Sequence, residues 1–532
     1  MTMTDVLVVG AGPVGLALAC ELARHGVGVR IIEARTEPLP YCRAIGVTSR
    51  TLEVYEDMGV VRDMIDAGLW LTGTRVAIPG HPTRDVTSDL SDLPYATLGV
   101  PQGETERILA HHLSGYGVTV ERGVRLVSLT QEGGIVRVDL DGPTGREVAH
   151  PRYLVGCDGA HSSVRHLLGI DFVGEAWPFP FMLGDVRLDW PEGEDLPRGF
   201  ALRAIRPKVD DVPDMFIAIP LPEHGRYRVS TLAPEMPEGP SADGLAHGIQ
   251  SEQRGPSASD LQEVADRVME RAPVVSDLRW SSRYRISMRL AERYRVGQVF
   301  IAGDACHIHP PTGGQGMNTG IQDAYNLAWK LALVLKGHAA PGLLGSYETE
   351  RQGVAEGVIA QTIAESMAFG RGDAAPDRLA NTQILVSYRG SPIVAPASGD
   401  AGVQPGDRMP DLSGLRRRGL GFPLRLFEIL RGTTHVLLAP VSGAEDLAAL
   451  EVEAKTLAAH LPIRIVACAV DGADMPDPLG ISLVEDAAGT LAQVVGSDTV
   501  LVRPDGYLAW RGPLSAVQAR ATLLEHILGR PI

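Results

Sequence analysis

The sequence predicts an α/β protein in which a mostly antiparallel sheet is inserted into a dinucleotide-binding domain and a smaller domain follows. Three observations predict this fold. A strand, a glycine-rich turn and a helix open the chain, and two later apolar segments, 153–158 and 299–304, each end in an aspartate. Residues between these two segments alternate between apolar and polar types, as in antiparallel strands with one solvated face. A chain of 532 residues is long enough for two or three domains.

Composition and charge restrict the class of function. The formal net charge of −16 disfavours binding to nucleic acid or to an anionic membrane surface. The five cysteines are scattered, with no CxxC pair and no Cys/His cluster at zinc spacing, so neither a disulfide framework nor a metal site is expected. The sequence has no run of about 18 uninterrupted apolar residues, the length that crosses a bilayer. We therefore expect a cytoplasmic protein without a membrane span.

The opening turn carries the glycine pattern of dinucleotide-binding proteins. In Gly10-Ala-Gly12-Pro-Val-Gly15, the first glycine permits a tight turn, the second lets the backbone approach a pyrophosphate, and the third lets helix and strand pack closely. Glu33 follows about 20 residues later, where a carboxylate accepts hydrogen bonds from a ribose. The pattern predicts a dinucleotide site, but it does not choose between NAD and FAD.

Two distant motifs favour FAD. Asp158-Gly-Ala-His-Ser-Ser-Val-Arg165 offers a carboxylate, hydroxyls and an arginine after a predicted strand, although an ordinary strand-to-helix turn with Ser162 as N-cap explains the same residues. Further along, Asp304 is suited to bind a polyol hydroxyl. The backbone N–H groups of 313–318, at the start of a predicted long helix, carry partial positive charge that would stabilise an anion at one edge of a reduced flavin.

The three motifs, GAGPVG, DGAHSSVR and GDACHIHPPTGGQGMNTGIQDAYNLAWKL, resemble those of the group A flavoprotein monooxygenases, the family of para-hydroxybenzoate hydroxylase and phenol hydroxylase. Within it, the sequence is most similar to the aromatic polyketide hydroxylases of antibiotic biosynthesis. The resemblance covers essentially the whole chain. It implies a Rossmann-like FAD-binding domain at 1–171 and 290–395 and a substrate-binding domain at 172–289. For 396–532, the element order βαβ-ββα is similar to thioredoxin, without a CxxC motif.

The resemblance also implies which residues contact the cofactor. The ADP half of FAD is expected at Gly10, Gly12, Pro13, Val14, Gly15, Glu33, Ala34 and Arg35. The pyrophosphate and ribityl regions are expected at Arg43 and Gln102, which otherwise would be a surface salt-bridge residue and a turn residue. The motif associated with both FAD and nicotinamide contributes Asp158, Gly159 and Arg165. The ribityl and isoalloxazine groups are expected at Gly303, Asp304, Pro311, Gly313, Gly314, Gln315, Gly316, Met317 and Asn318.

The activity implied by the resemblance is oxygenation of an aromatic ring. NADPH or NADH binds transiently and reduces FAD, O₂ adds to give a C4a-hydroperoxide, and an oxygen atom passes to an electron-rich phenolic or polycyclic substrate. Two alternatives remain: a Baeyer–Villiger oxygenase on the same scaffold, and a flavin-bearing protein that sequesters an aromatic compound. A homodimer is one option for the assembly.

The sequence identifies no substrate base. His307, Tyr227 and Arg226 are candidates only because of their positions near the flavin motif or on a predicted substrate-domain strand. Five residues would line an aromatic pocket or, more commonly for such residues, pack in the core: Trp177, Phe179, Phe181, Met182 and Phe216.

Overall fold

The structure is a computed structural model that describes residues 4–38, 44–87, 89–208, 211–233, 255–310, 312–367, 377–397, 402–470 and 480–531. For 177–179, 211–212, 284–286, 312, 366–367 and 470 it describes the backbone only. The chain forms two compact units: the first takes residues 1–20, 29–324 and 355–383, and the second takes 21–28, 325–354 and 384–532. The finer division into three domains stays a prediction.

The first unit contains the predicted parallel sheet. Its strands, in spatial order, are Arg295–Val296, Val299–Ile301, Tyr153–Gly156, Val6–Val9, Val29–Glu33 and Val120–Arg122. All neighbours are parallel except Arg295–Val296 and Val299–Ile301. Val6–Val9 is buried along its whole length, because helices cover both faces of such a sheet and its strands are therefore continuously apolar. The predicted opening strand, turn and helix are confirmed, with the helix at Pro13–Arg24, and the parallel strand Val29–Glu33 completes a βαβ unit.

An eight-stranded sheet also belongs to this unit. Its strands, in spatial order, are His307–Ile308, Val274–Ala291, Phe172–Asp189, Arg226–Leu232, Asp211–Pro220, Phe200–Lys208, Gly73–Ala77 and Arg84–Thr87. Phe200–Lys208 and Gly73–Ala77 are parallel, and the other pairs are antiparallel, as the alternating pattern predicts. The two strands from 73–87 lie outside the segment 172–289 and were not expected in this sheet.

One face of the eight-stranded sheet packs on the helix Ala258–Val268. The side chains of Met182 and Phe216 are fully buried in the apolar cluster between sheet and helix. These two residues therefore pack in the core, while Phe181 points to the opposite face and is half-buried. The side chains of Trp177 and Phe179 lie outside the described residues.

Short elements complete the first unit. Two small sheets consist of Arg125–Glu132, Ile135–Gly142 and Gly145–Ala149, and of Gly46–Val47, Leu69–Trp70 and Leu98–Gly99. Its other helices are Ser49–Met58, Val61–Ala67, Gln102–Gly115 and Ser163–Leu167. The long helices Gly316–Leu335 and Gly345–Met367 each contribute residues to both units. In the part of the chain that the structure describes, every helix is too short or too polar to cross a bilayer.

The second unit is built on a five-stranded sheet with the strand order of a thioredoxin fold. Its strands, in spatial order, are Ser482–Asp486, Ile463–Val470, His435–Val441, Thr499–Val502 and Leu508–Gly512. The central strand is parallel to Ile463–Val470 and antiparallel to Thr499–Val502, as βαβ-ββα requires. Its helices are Leu426–Leu430, Ala444–Ala458, Thr490–Val495 and Val517–Leu528. Ser482–Asp486 and Thr490–Val495 are additions that the sequence pattern did not predict.

A buried group of charged side chains holds the second unit together. Both carboxylate oxygens of Glu350 accept hydrogen bonds from Arg503, at 2.6 and 3.0 Å, and one also accepts from Lys330 at 2.7 Å. Arg503 further pairs with Asp505, and all four side chains are inaccessible to solvent or nearly so. Burial opposes ionisation of Glu350, but the two cations hold its pKa well below the usual range. Two cations and two anions therefore neutralise one another inside the protein.

The segment around 391–410 is rich in Gly and Pro, a composition typical of linkers, but its described part is bonded to the second unit. Ser391 donates a hydrogen bond to Glu350 at 2.7 Å, and the N–H groups of Ala395 and Gly406 donate to Ala509 and Leu508. The described part of this segment is therefore packed into the second unit. Its glycines and prolines shape the path of a buried chain rather than a flexible connection.

We expect the stability of the second unit to fall below pH 6.5 because of His435. Burial lowers the pKa of His435 from 6.5 to about 4, so the folded protein holds the ring neutral where the unfolded chain protonates it. This contribution to stability is complete above pH 6.5 and is lost as the pH falls toward 4. His435→Phe keeps an aromatic ring beside Trp329. It removes about one proton from the number that the protein takes up on unfolding in this range, so the unfolding free energy should depend less on pH.

Urea unfolding at several pH values between 4 and 7.5 measures this slope, with the exposed His526→Gln as the matched control. An unchanged slope in His435→Phe would show that the ring is already protonated in the folded protein.

Candidate cofactor site

The first glycine turn lies directly against the second motif. A Cβ on Gly10 would lie 2.5 Å from the carbonyl oxygen of Cys157, and a Cβ on Gly15 would lie 1.9 Å from the carbonyl oxygen of Gly10. Neither position has room for a side chain. Gly12 differs, because a Cβ there would meet no atom within 4 Å in the described part of the chain. Its backbone therefore borders open space at the start of a helix, as a pyrophosphate-binding turn requires.

The carboxylate of Glu33 is fixed beside this turn. One oxygen accepts the N–H of Ala11 and the other accepts the N–H of Arg35, both at 3.0 Å. Glu33 is half-buried, whereas Ala34 and Arg35 are exposed. Each carboxylate oxygen can accept a further hydrogen bond, so Glu33 fits the predicted ribose contact.

The second motif mainly organises the protein. Asp158 accepts the hydroxyl of Ser162 at 2.6 Å and the N–H of Val164 at 3.2 Å, and Ser162 caps the helix Ser163–Leu167. Burial raises the pKa of Asp158, although these hydrogen bonds oppose the shift. The N-cap interpretation of Ser162 is therefore confirmed. Gly159 adopts a left-handed conformation in the turn between them.

Arg165 connects the second motif to the third. Its guanidinium is buried, donates to the carbonyl oxygens of Ala160 and Ala305 at 2.9 and 3.1 Å, and stacks 3.9 Å from the centre of the Phe172 ring. Burial lowers the pKa of Arg165. The side chain of Arg165 therefore holds Ala305, the residue next to Asp304, in place, and a contact of Arg165 with the cofactor stays a prediction.

The third motif meets the first glycine helix. A Cβ on Gly303 would lie 2.8 Å from the side chain of Val14, and a Cβ on Gly320 would lie 2.6 Å from it. Pro13 begins this helix and is buried with it. Asp304 is exposed although Gly303 and Ala305 on either side are buried. The turn therefore presents the Asp304 carboxylate outward, as expected for a ribityl contact.

His307 is buried behind this turn. Its Nε2 lies 2.7 Å from Asp323, whose same oxygen accepts the N–H of Gly303 at 3.1 Å. Both side chains are almost completely inaccessible to solvent. These contacts assign His307 to the support of the Gly303 turn, and they disfavour it as a base that touches substrate.

The glycine turn at 313–318 exposes backbone. Gly313 and Gly314 are exposed and adopt left-handed conformations with φ of 75° and 65°. Gly316 and Met317 are half-exposed at the start of the helix Gly316–Leu335. The N–H groups and the helix N-terminus can therefore stabilise negative charge on a bound group, as expected for one edge of a flavin ring.

Asn318 fixes this turn from behind. Its side-chain oxygen accepts the N–H of Thr48 at 3.0 Å, and its side-chain nitrogen donates to the carbonyl oxygens of Gly46 and Gly314 at 2.9 and 2.7 Å. Asn318 is fully buried. It was predicted to contact the cofactor, but its amide is used by the protein backbone.

A set of amide side chains that the sequence did not reveal supports Gln315. Gln315 donates to Asn381 at 2.8 Å and accepts from Gln383 at 3.3 Å. Gln383 also donates to Thr319 at 2.9 Å, and it adopts a left-handed conformation, with φ of 60°, that is unusual for a residue other than glycine. Such a conformation persists where surrounding contacts impose it. Asn381 and Gln383 are therefore part of the site, although they follow the glycine turn by more than 60 residues.

Gln102, Arg43 and Pro311 are the remaining predicted cofactor residues. Gln102 begins a helix, and its side chain bonds Ala44 at 3.2 Å and Glu106 at 2.7 Å. Arg43 and Pro311 lie outside the described residues, so their contacts stay predictions.

The other two base candidates have contacts within the eight-stranded sheet region. Tyr227 packs against the apolar cluster, and its hydroxyl accepts from Trp190 at 3.4 Å. Arg226 is buried and pairs with Asp277. These contacts favour structural roles for both.

The surfaces that face outward fit FAD. The backbone at Gly12 borders open space, Glu33 and Asp304 provide carboxylates, and Gly313–Gly314 provides exposed backbone. Among the described residues, no three His, Cys, Asp or Glu side chains come together as a metal site would need.

Comparisons with known proteins agree with this arrangement. Residues 3–362 match the family described as FAD binding domain, and residues 403–531 match the family described as aromatic-ring hydroxylase, C-terminal. The chain is 34% identical over 523 residues, 95% of each chain, to the 12-dehydrotetracycline 5-monooxygenase/anhydrotetracycline 6-monooxygenase of Streptomyces rimosus. It is 30% identical over 558 residues to the pentachlorophenol 4-monooxygenase of Sphingobium chlorophenolicum, covering 99% of this chain and 97% of that one.

Solved structures show the same likeness. Aklavinone-11 hydroxylase, crystallised with FAD and aklavinone, superposes with a TM-score of 0.77 at 28% identity and 99% coverage of both chains. The OxyS anhydrotetracycline hydroxylase of Streptomyces rimosus superposes with a TM-score of 0.74 at 30% identity and full coverage of both.

We expect Gly12→Ala to weaken FAD binding without changing the stability of the fold. The added methyl group enters open space in the protein but occupies the approach of the pyrophosphate, so the affinity for FAD should fall at least about tenfold, a loss of about 1.4 kcal/mol. Titration of flavin-free protein with FAD measures the affinity, and thermal unfolding of the same protein should be unchanged. The matched control is Gly103→Ala, which also adds a methyl group in open space and should bind FAD normally. Normal FAD affinity in Gly12→Ala would place the pyrophosphate elsewhere.

Proposed function

Because the chain belongs to the FAD-dependent aromatic-ring monooxygenases, we propose that its substrate is a polycyclic phenol, hydroxylated with NADPH or NADH as reductant. The observation that carries this proposal is the meeting of three distant turns, at Gly10–Gly15, Gly303–Asp304 and Gly313–Asn318, in one unit with the eight-stranded sheet. Relatives whose names include anhydrotetracycline and aklavinone support a fused-ring substrate.

The geometry supports a role for each residue in this proposal. Gly12 and Glu33 would hold the ADP half of FAD, Asp304 would bind the ribityl chain, and the backbone of Gly313–Gly314 would lie beside the isoalloxazine. Bound FAD supplies the chemistry that activates O₂ for transfer to a ring. The N–H groups and the N-terminus of the helix Gly316–Leu335 favour negative charge at that edge. Asp323, Asn318 and Gln383 hold these turns rigidly, so little reorganisation is needed when the cofactor binds.

The finer properties also remain proposals. Among the three base candidates, the contacts of His307, Tyr227 and Arg226 point to structural roles, so the substrate hydroxyl would be ionised by groups yet to be identified. A cytoplasmic location and a homodimer stay predictions.

Turnover of anhydrotetracycline and aklavinone by purified holoprotein tests the proposal. We expect each compound that binds to accelerate reduction of the flavin by NADPH or NADH in stopped-flow experiments. We also expect one atom of ¹⁸O₂ to appear in a product that is heavier by one oxygen and keeps its ring system.

Each alternative predicts a different result. A product in which a ring carbonyl has become a lactone, or in which the ring has opened, would indicate a Baeyer–Villiger reaction. Binding of the compounds without faster flavin reduction and without ¹⁸O incorporation would indicate a sequestering protein.

A further inference from the structure

An exposed loop of the second unit, at 416–423, carries three consecutive arginines and two large apolar side chains. Its sequence, Arg-Arg-Arg-Gly-Leu-Gly-Phe-Pro, contains no acidic residue. All of its residues are exposed, Leu420 to 42% and Phe422 to 60%. Single exposed apolar residues are common on protein surfaces, but here two of them share one short loop with three positive charges.

Backbone hydrogen bonds anchor the base of this loop. Leu415 and Leu424 exchange two hydrogen bonds between their N–H and carbonyl groups, at 3.2 and 2.6 Å. Arg416 exchanges two more with Glu485, at 2.9 and 2.7 Å. Leu415 is buried in the apolar core of the second unit and Leu424 packs against it, whereas the chain between them reverses at Gly419 in a left-handed conformation. The loop is therefore a hairpin with a fixed base and an exposed end.

Glu485 offsets only part of the positive charge of the hairpin. Its carboxylate lies 3.8 Å from Arg418, and both side chains are nearly half exposed, so the pair is weak. One carboxylate neutralises one of three arginines at most. The whole protein has a formal charge of −16, but at an ionic strength of about 0.1 M charges are screened over about 10 Å. A ligand at the end of the hairpin therefore meets the local positive charge rather than the average negative charge.

We propose that the hairpin 416–423 binds the surface of an anionic lipid bilayer. Arg417 and Arg418 form charge-assisted hydrogen bonds with lipid phosphates, and Leu420 and Phe422 enter the boundary between headgroups and acyl chains. The two contributions act together, because a few arginines or two apolar side chains alone give only weak attachment. The inference goes beyond the proposed function, since it concerns a surface of the second unit and not the cofactor site.

An acidic protein is the other macromolecule that this charge attracts. A stable protein complex buries about 800 Å² on each partner, so it would extend from the hairpin onto the surface at its base. That surface carries the exposed carboxylates of Glu428, which accepts the N–H of Arg425, and of Glu485. Both would repel an acidic partner. A bilayer needs to touch only the end of the hairpin, which makes it the better fit.

Cosedimentation of the holoprotein with sucrose-loaded vesicles tests the proposal. The vesicles consist of phosphatidylcholine alone or of phosphatidylcholine mixed with an equal amount of phosphatidylglycerol. The wild-type protein should bind the anionic vesicles at least about tenfold more tightly than the neutral ones. Raising the NaCl concentration from about 0.1 to about 0.5 M should remove most of this preference, because salt screens the attraction between arginine and phosphate.

Variants of the hairpin separate its two contributions. Arg417→Gln/Arg418→Gln should bind anionic vesicles at least about tenfold more weakly, because each arginine near the surface strengthens binding about fivefold. Phe422→Ser should weaken binding at least about fivefold through the loss of apolar burial. The matched controls are Arg530→Gln, at an exposed arginine, and Val452→Ser, at a 68% exposed apolar residue, both elsewhere in the second unit. Both should bind as the wild type does, and flavin content and thermal unfolding report whether each variant is folded.

Several outcomes would overturn the proposal: equal binding of the wild type to both kinds of vesicle, a preference that survives Arg417→Gln/Arg418→Gln, unchanged binding of Phe422→Ser, or an equal loss in either control. Retention of the wild-type protein on immobilised poly-glutamate without binding to vesicles would also overturn it, and would assign the hairpin to an acidic protein. Failure of the proposed function is read separately, as absence of flavin reduction and ¹⁸O incorporation, because vesicle binding involves no turnover.

Discussion

Backbone packed directly on backbone is the constraint on which the cofactor site depends. Gly10 lies against the carbonyl of Cys157, and a Cβ on Gly320 would come within 3.0 Å of Gly303. The first approach brings together strand ends that are more than 140 residues apart in sequence at one edge of the parallel sheet, and the second packs the helix Gly316–Leu335 on the turn at Gly303. Any larger residue at these positions would separate the turns, and with them the groups that bind a single extended cofactor.

The residues of the three motifs divide into two classes. Gly12, Glu33, Asp304 and Gly313–Gly314 face open space or solvent, and they are the groups that a cofactor can reach. Asp158, Arg165, Asn318 and Gln315 are buried or bonded within the protein and fix the first class in position. The motifs therefore contain residues that hold the site in position as well as residues that a cofactor can reach.

The sequence predicted what depends on local pattern. The βαβ opening, the long helix and the element order of the C-terminal fold follow from periodicity and turn residues over short windows. Gly73–Ala77 was missed as a member of the eight-stranded sheet because its partner strand Phe200–Lys208 lies more than 100 residues away. Asn381 and Gln383 were missed for the same reason. Arg84–Thr87 was missed with Gly73–Ala77, because it joins the sheet only through that strand.

The buried carboxylate of Glu350 has a consequence for dissecting the protein into parts. Its two cationic partners come from distant segments, Lys330 from the end of one long helix and Arg503 from the C-terminal hairpin. Deleting the C-terminal region would remove Arg503 and Asp505 and leave Glu350 and Lys330 with one charged partner each. A shortened version that ends near residue 395 is therefore a poor candidate for an autonomous flavin-binding fragment. Homologues could exchange this region only if they brought a matching arginine and aspartate with it.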